Sequence, residues 1–242
     1  YRKIFDGKYL PNIIPDDEDL RLPENHLMNW DSDEEFGRQR LCGLNPLVIE
    51  RIKKIPEDFY VTNEIVRDFL ENSLEEELNN NKIYLCDYKL LIGLEGATID
   101  YTKRYVYAPY CLLYQNSENN LVPIAIQIYR EKNSVIFTPK DNYYEWLAAK
   151  IYCSNSDFHV HQFEKHALWC HLIFEPVSIA LNRNFSTCHP LYNFIKIHFH
   201  GLININDMAR GSLVAPDNEK AKAMFGSIMS TGSDGNIKIL LK

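Results

Sequence analysis

No apolar run in this chain reaches the roughly 18 residues that a membrane-spanning helix requires, so any contact with lipid is expected to be peripheral. Nor does any cluster of five or more basic residues occur, and 26 Lys and Arg against 33 Asp and Glu leave a formal charge of −7. That balance excludes a nucleic acid held through its phosphates, and equally a polybasic membrane anchor. The six cysteines (Cys42, Cys86, Cys111, Cys153, Cys170 and Cys188) form no Cys-x-x-Cys pair, and no charged-then-apolar leader opens the chain. Free thiols in a reducing compartment, hence a cytoplasmic location, are the expectation. No internal repeat is visible. The first residue is Tyr1 rather than methionine, from which the chain is expected to be a piece of something longer.

What is present is ordinary globular material, 242 residues with 45% apolar and 24% charged side chains, enough for one or two domains. Its chemistry concentrates in one stretch, Trp146 to His171. Three of the eight histidines, His161, His166 and His171, recur every five residues inside what reads as a long buried helix, with His189 and His198 shortly after. Imidazoles clustered in this way point to a metal. In a regular α-helix, residues five apart are turned by roughly 140° about the axis, so their rings diverge. A π-bulge, with its i→i+5 bonds, stacks such residues on one face. The spacing therefore predicts a π-bulge between His161 and His171. A zinc-hydrolase helix is the competing reading, but His161-Gln-Phe-Glu-Lys-His166 puts Glu three and His five residues after the first His and misses both known zinc spacings.

Around that stretch the pattern is mainly α with a small antiparallel β-sheet. Residues 1–29, with Gly7, Pro11, Pro15, Pro23 and the acidic run Asp16-Asp-Glu-Asp19, read as irregular. Residues 30–138 read as helices and the sheet: acids at 31–35 suited to a helix dipole, a short helix from Pro46 to Lys53, and an amphipathic helix from Thr62 to Leu78. Strands are expected at Lys82–Tyr88, Ala108–Tyr114, Val122–Tyr129 and Val135–Phe137, with a hairpin loop at Asn116–Asn120, the tyrosines serving as packing. Residues 139–242 read as the central helix, Asp141 to about Asn182, bent or ended near Phe174 by Pro176, then a turn at Ser186–Pro190 and a second helix from Leu191 to His200. Asn204–Val214 reads as a connection into a further helix, and Ser230–Asn236 as a loop.

The order His161-x4-His166-x4-His171-x17-His189-x8-His198 resembles the histidine signature of lipoxygenases. Ser154-Asn-Ser-Asp-Phe-His-Val-His161, His189-Pro190 and Ile205-Asn206-x-x-Ala209-Arg210 sit where that family carries companion motifs. Glu35-Phe-Gly-Arg-Gln-Arg-Leu-Cys-Gly-Leu-Asn-Pro46, Ala108-Pro-Tyr-Cys-Leu-Leu-Tyr114 and Leu121-Val-Pro-Ile-Ala-Ile-Gln127 are similar to the animal members, most like the 5-lipoxygenase type. The resemblance covers about Trp30 to Val214. It implies part of a helical catalytic domain built around a long central helix, and one non-haem iron cycling between Fe2+ and Fe3+. It also implies peroxidation of polyunsaturated fatty acids such as arachidonate or linoleate: hydrogen abstraction from a bis-allylic methylene, then addition of O2.

By the same resemblance His166 and His171 are the iron ligands and catalytic residues, while His161, His189 and His198 back the ligands or fix the helix. Ala167, Leu172, Met208, Ala209 and Leu213 match positions along the substrate channel. Ala167 stands where animal relatives usually have leucine, which widens the pocket. Met208 replaces a basic residue that meets the substrate carboxylate in some relatives, and Ala209 is the alanine of S-specific enzymes. The family's N-terminal β-barrel, its route to peripheral membrane contact, and the C-terminal region with further iron ligands are not in the sequence. The isolated chain is therefore expected to be inactive, and an inactive binding or interaction module is the alternative.

Overall fold

The computed structural model describes residues 29–99, 101–211 and 238–242. The irregular segment expected before Trp30, Leu213 and the loop expected at 230–236 lie outside the described residues. The chain divides into two compact units. One comprises Tyr1–Cys86, Cys111–Ile126 and Ile136–Lys150, the other Asp87–Tyr110, Gln127–Val135 and Ile151–Lys242. Among the described residues no helix is long and apolar enough to cross a membrane, and all six cysteines are thiols rather than disulfides.

In the first unit, α1 (Asp33–Cys42) opens on Ser32, whose hydroxyl accepts from the Glu35 amide at 3.1 Å, and Asp33, Glu34 and Glu35 complement the dipole of its first turn. Gly37 lets this helix press on the following sheet, since a Cβ there would stand 1.7 Å from the Leu121 carbonyl oxygen. The helix expected from Pro46 is instead strand β1 (Ile49–Arg51), antiparallel to β2 (Ile83–Asp87) with Ile49 opposite Cys86. The stretch is short and starts with a β-branched residue, and pairing along β2 satisfies its backbone better than an isolated turn of helix. The helix expected from Thr62 to Leu78 is also broken, into α2 (Asn63–Val66), a 3-10 turn (Arg67–Phe69) and α3 (Leu74–Asn79). Ser73 and Glu76 form a capping box that starts α3 afresh, and Asn63 Oδ1 accepts from the Leu74 amide at 2.9 Å, folding α2 back on that start.

After the small hairpin of β3 (Thr98–Ile99) and β4 (Thr102–Lys103), which belongs to the second unit and was not expected, come β5 (Tyr110–Gln115), β6 (Leu121–Gln127) and β7 (Ile136–Phe137). They complete a five-stranded sheet in the order β1-β2-β5-β6-β7. The expected hairpin joins β5 to β6, where the Asn116 amide donates to the Asn120 carbonyl at 3.0 Å. Leu112, Leu113, Ile124, Ala125 and Ile126 are buried, which is why these strands read as apolar runs rather than alternations. Helix α4 (Tyr143–Val160) begins in this unit; there Lys150 and the Trp146 indole both reach Oδ1 of Asp33, at 2.6 and 2.8 Å.

The second unit holds the rest of α4, a π-helical segment (His161–Leu172), α5 (Phe174–Asn184), α6 (Pro190–Lys196) ending in a 3-10 turn (Ile197–Phe199), and α7 (Leu202–Ala209). Ser156 donates to the Tyr107 carbonyl at 3.0 Å, and the Tyr88 hydroxyl to Asp157 at 3.0 Å. Tyr107 packs edge-on against Tyr129 and Tyr152, and burial raises its hydroxyl pKa, so these tyrosines act as packing. Two expectations change. The segment at 204–209 is itself helix, begun by Gly201 at φ +73°. The second half of the central helix is not buried all round: Trp169, Ile173, Phe174 and Val177 are exposed.

Candidate metal centre

The chain enters the π segment directly from α4 without a cap, and the i→i−5 pattern persists to its end, where the Ile173 amide donates to the Leu168 carbonyl at 3.0 Å. Widening the helix in this way has the expected effect on residues five apart. Nε2 of His166 and Nε2 of His171 lie 3.0 Å apart, with ring centroids 4.7 Å apart and planes crossed at 80°. The ring of His161 stacks on His166 at 6.0 Å, nearly parallel at 10°. Burial, then the neighbouring His171 and His161, hold His166 below the usual histidine range, which keeps its ring neutral and able to bind a cation.

His171 is gripped from the far side. Asn206, buried on α7, sets Oδ1 2.9 Å from Nδ1 of His171, while its Nδ2 donates to the His171 carbonyl at 3.2 Å and to Oε2 of Glu175 at 2.7 Å. Arg210, one turn beyond, donates to the same Glu175 oxygen at 2.8 Å. That hydrogen bond first, and the one from Asn206 second, hold the Glu175 carboxyl below its ordinary range, so it is an anion. Pro176 has no N–H and can return neither an i−4 bond to Leu172 nor an i−5 bond to His171. The break expected near Phe174 is thus where the π segment gives way to α5. Asn206 and Arg210 appear in the sequence only as a motif, and Glu175 not at all. The available signal was spacing: Glu175 follows His171 by four residues and Arg210 follows Asn206 by four, each pair on one helix face.

The other histidines lie apart from this arrangement. His189 caps α6, its Nδ1 accepting from the Leu191 amide at 3.1 Å, and its ring lies against Phe185; His198 lies against Phe194. Neither bonds to the His166–His171 pair, His189 instead fixing the start of its own helix, whereas Asn206 bonds to His171 and Glu175 to Asn206. Ala167 and Leu172 each follow one of the paired histidines, five apart like them, and both are half-buried, as is Ala209, whereas Met208 is exposed.

Comparison with known proteins decides the family. A family model described as Lipoxygenase matches residues 19–230. The chain belongs to the lipoxygenase family. It is 34% identical to the mouse arachidonate 12-lipoxygenase, 12R-type, over 97% of this chain and 33% of that protein. It is 33% identical to the human hydroperoxide isomerase ALOXE3, over 88% of this chain and 30% of that one. Among solved structures, a calcium-dependent 11R-lipoxygenase superposes with a TM-score of 0.79 at 34% identity, over 87% of this chain and 31% of its own. This lipoxygenase chain therefore spans about a third of the length of the relatives it matches, and its mainly helical fold with a small sheet is theirs.

The residues present can be tested against an iron. For metal–nitrogen bonds of about 2.1 Å, two ligands at right angles have nitrogens about 3.0 Å apart, and two at the tetrahedral angle about 3.4 Å. The observed 3.0 Å is short enough for the two rings to share one metal ion, and equally for a hydrogen bond between them, and does not choose between iron and zinc. Among the described residues the buried Nδ1 of His166 has no partner, whereas a histidine bound to a metal through Nε2 normally donates its Nδ1–H to one. Among the described residues no group of three or more His, Cys, Asp or Glu side chains is placed to hold a metal.

Proposed function

We propose that this chain is the part of a lipoxygenase that supplies two iron ligands, His166 and His171, to a dioxygenase acting on polyunsaturated fatty acids. The observation that carries the reading is the 3.0 Å convergence of the two Nε2 atoms across a five-residue spacing. When bound, iron supplies the redox couple and the base that take a hydrogen from a bis-allylic methylene. The chain's own part is to hold and orient. The paired imidazoles offer ring nitrogens, and Ala167, Leu172 and Ala209 provide apolar side chains suited to a hydrocarbon. Met208 in place of a basic residue gives no cation for the substrate carboxylate at that point. The S face of oxygen addition rests on Ala209 alone, and the 12R-type relative does not support it.

A second reading, a binding module without turnover, is favoured by one observation: among the described residues nothing joins the two imidazoles as a third fixed donor, and two imidazoles alone hold a divalent ion weakly. Iron analysis and an arachidonate assay followed at the conjugated-diene absorbance separate the two. Near-stoichiometric iron with diene formation supports the dioxygenase. Iron without diene supports a holding segment that needs further donors, and neither supports the binding module.

A further inference from the structure

The bonding of Asn206 leaves it one orientation. Its two partners on one side, the His171 carbonyl oxygen and the anionic Oε2 of Glu175, are acceptors only, so the atom facing both must be the amide nitrogen. The oxygen of the same amide then faces Nδ1 of His171 at 2.9 Å, and an oxygen there can only accept. In its neutral form His171 therefore carries its proton on Nδ1, which leaves the lone pair of Nε2 facing His166. Arg210 completes the chain of constraint, because its ion pair keeps Glu175 charged and in place. Reversing the Asn206 amide would set its oxygen against a carbonyl and a carboxylate, two repulsive contacts around a side chain that is itself buried.

We infer that Asn206, held by Glu175 and Arg210, is a positioning residue that locks His171 in the one tautomer able to give Nε2 to a metal. The inference deepens the proposed function, since it rests on His171 being an iron ligand, but its first consequence is a property of the metal-free chain. His166 has no such lock: its Nδ1 is buried without a partner among the described residues. With both rings neutral, Nε2 of His166 is then the donor across the 3.0 Å between them.

The test uses the full chain labelled with 15N-histidine, with long-range proton–nitrogen spectra recorded without metal, and with cobalt(II) titration followed by visible absorbance. The expected spectrum shows His171 protonated on Nδ1 and bare on Nε2. Asn206→Ala is expected to mix the His171 tautomers and to weaken cobalt(II) binding about ten-fold. Glu175→Gln, whose amide oxygen still accepts from Asn206, is expected to preserve the tautomer. A wild-type spectrum with the proton on Nε2 of His171 overturns the inference, and that reading stands even if Asn206→Ala fails to fold. An unchanged tautomer in folded Asn206→Ala overturns it as well. The expected tautomers together with no cobalt(II) binding would sink the iron reading and leave the lock itself intact.

Discussion

Pro176 stands five residues after His171, at the position whose N–H a π register would return to the His171 carbonyl, and that carbonyl accepts from Asn206 at 3.2 Å instead. The proline lies in the first turn of α5, where a missing N–H costs the helix little. Pro176→Ala restores a competing donor. The expected result is a thermal midpoint within about 2 °C of wild type with cobalt(II) affinity lowered about three-fold, or about 0.7 kcal/mol, measured by scanning calorimetry and metal titration. Unchanged affinity would show that the backbone competition is irrelevant.

The π segment answers a five-residue spacing, so shortening the spacing should remove the need for it. Deleting the exposed Cys170 brings the two histidines to four apart, which an ordinary α-helix already places on one face. If the shortened helix relaxes to α, the register of α5 is preserved, and both helix content and cobalt(II) binding are retained. Loss of binding in a folded deletion variant would mean that the wide turn does more than align the pair.

Lys150 and Asp33 make a part-buried ion pair at 2.6 Å, the lysine side chain 7% exposed. Asp33→Ala removes the only carboxylate bonded to that ammonium among the described residues and leaves it the Asp31 carbonyl, with an expected cost of about 3 kcal/mol. Lys150→Met leaves Asp33 bonded to the Trp146 indole and should cost distinctly less. Urea unfolding of both variants and the double mutant checks the order; equal costs would argue that packing rather than charge dominates.

His159 is buried, its Nδ1 bonded to the Asn155 carbonyl at 2.7 Å and its Nε2 without a partner among the described residues, and burial depresses its pKa. The unfolded chain therefore binds this proton more readily than the folded one. Stability is full above the ordinary histidine value of about 6.5 and declines as pH falls below it, levelling off under the folded-state value. Urea midpoints measured from about pH 7.5 down to about pH 5 should show that decline, and His159→Leu should flatten it. An identical slope in the variant assigns the acid sensitivity to other groups.

The site was legible in the sequence to the extent that its geometry is local. A five-residue repeat of histidines cannot converge in an α-helix, and the π segment at His161–Leu172 follows from that alone. The strands at 83–87, 110–115 and 121–127 were legible from their β-branched and aromatic runs, and the loop at Asn116–Asn120 from its composition. What was missed depended on partners distant in the chain. Ile49–Arg51 becomes a strand because Cys86 and its neighbours lie opposite, and Pro46 gave a misleading helix signal. Asn206 reaches His171 across 35 residues, a relation no spacing rule contains. Ser73 and Glu76 were readable as a capping box, but the apolar period running through them masked it.

Trp169 projects from the π segment into solvent with the Lys165 ammonium 5.9 Å from its ring centroid, while Trp146 is buried. An indole two residues before one of the paired imidazoles gives the chain a built-in optical reporter. Its emission, red-shifted by exposure and open to quenching by a paramagnetic ion close by, allows loading to be followed by fluorescence in real time without any attached dye.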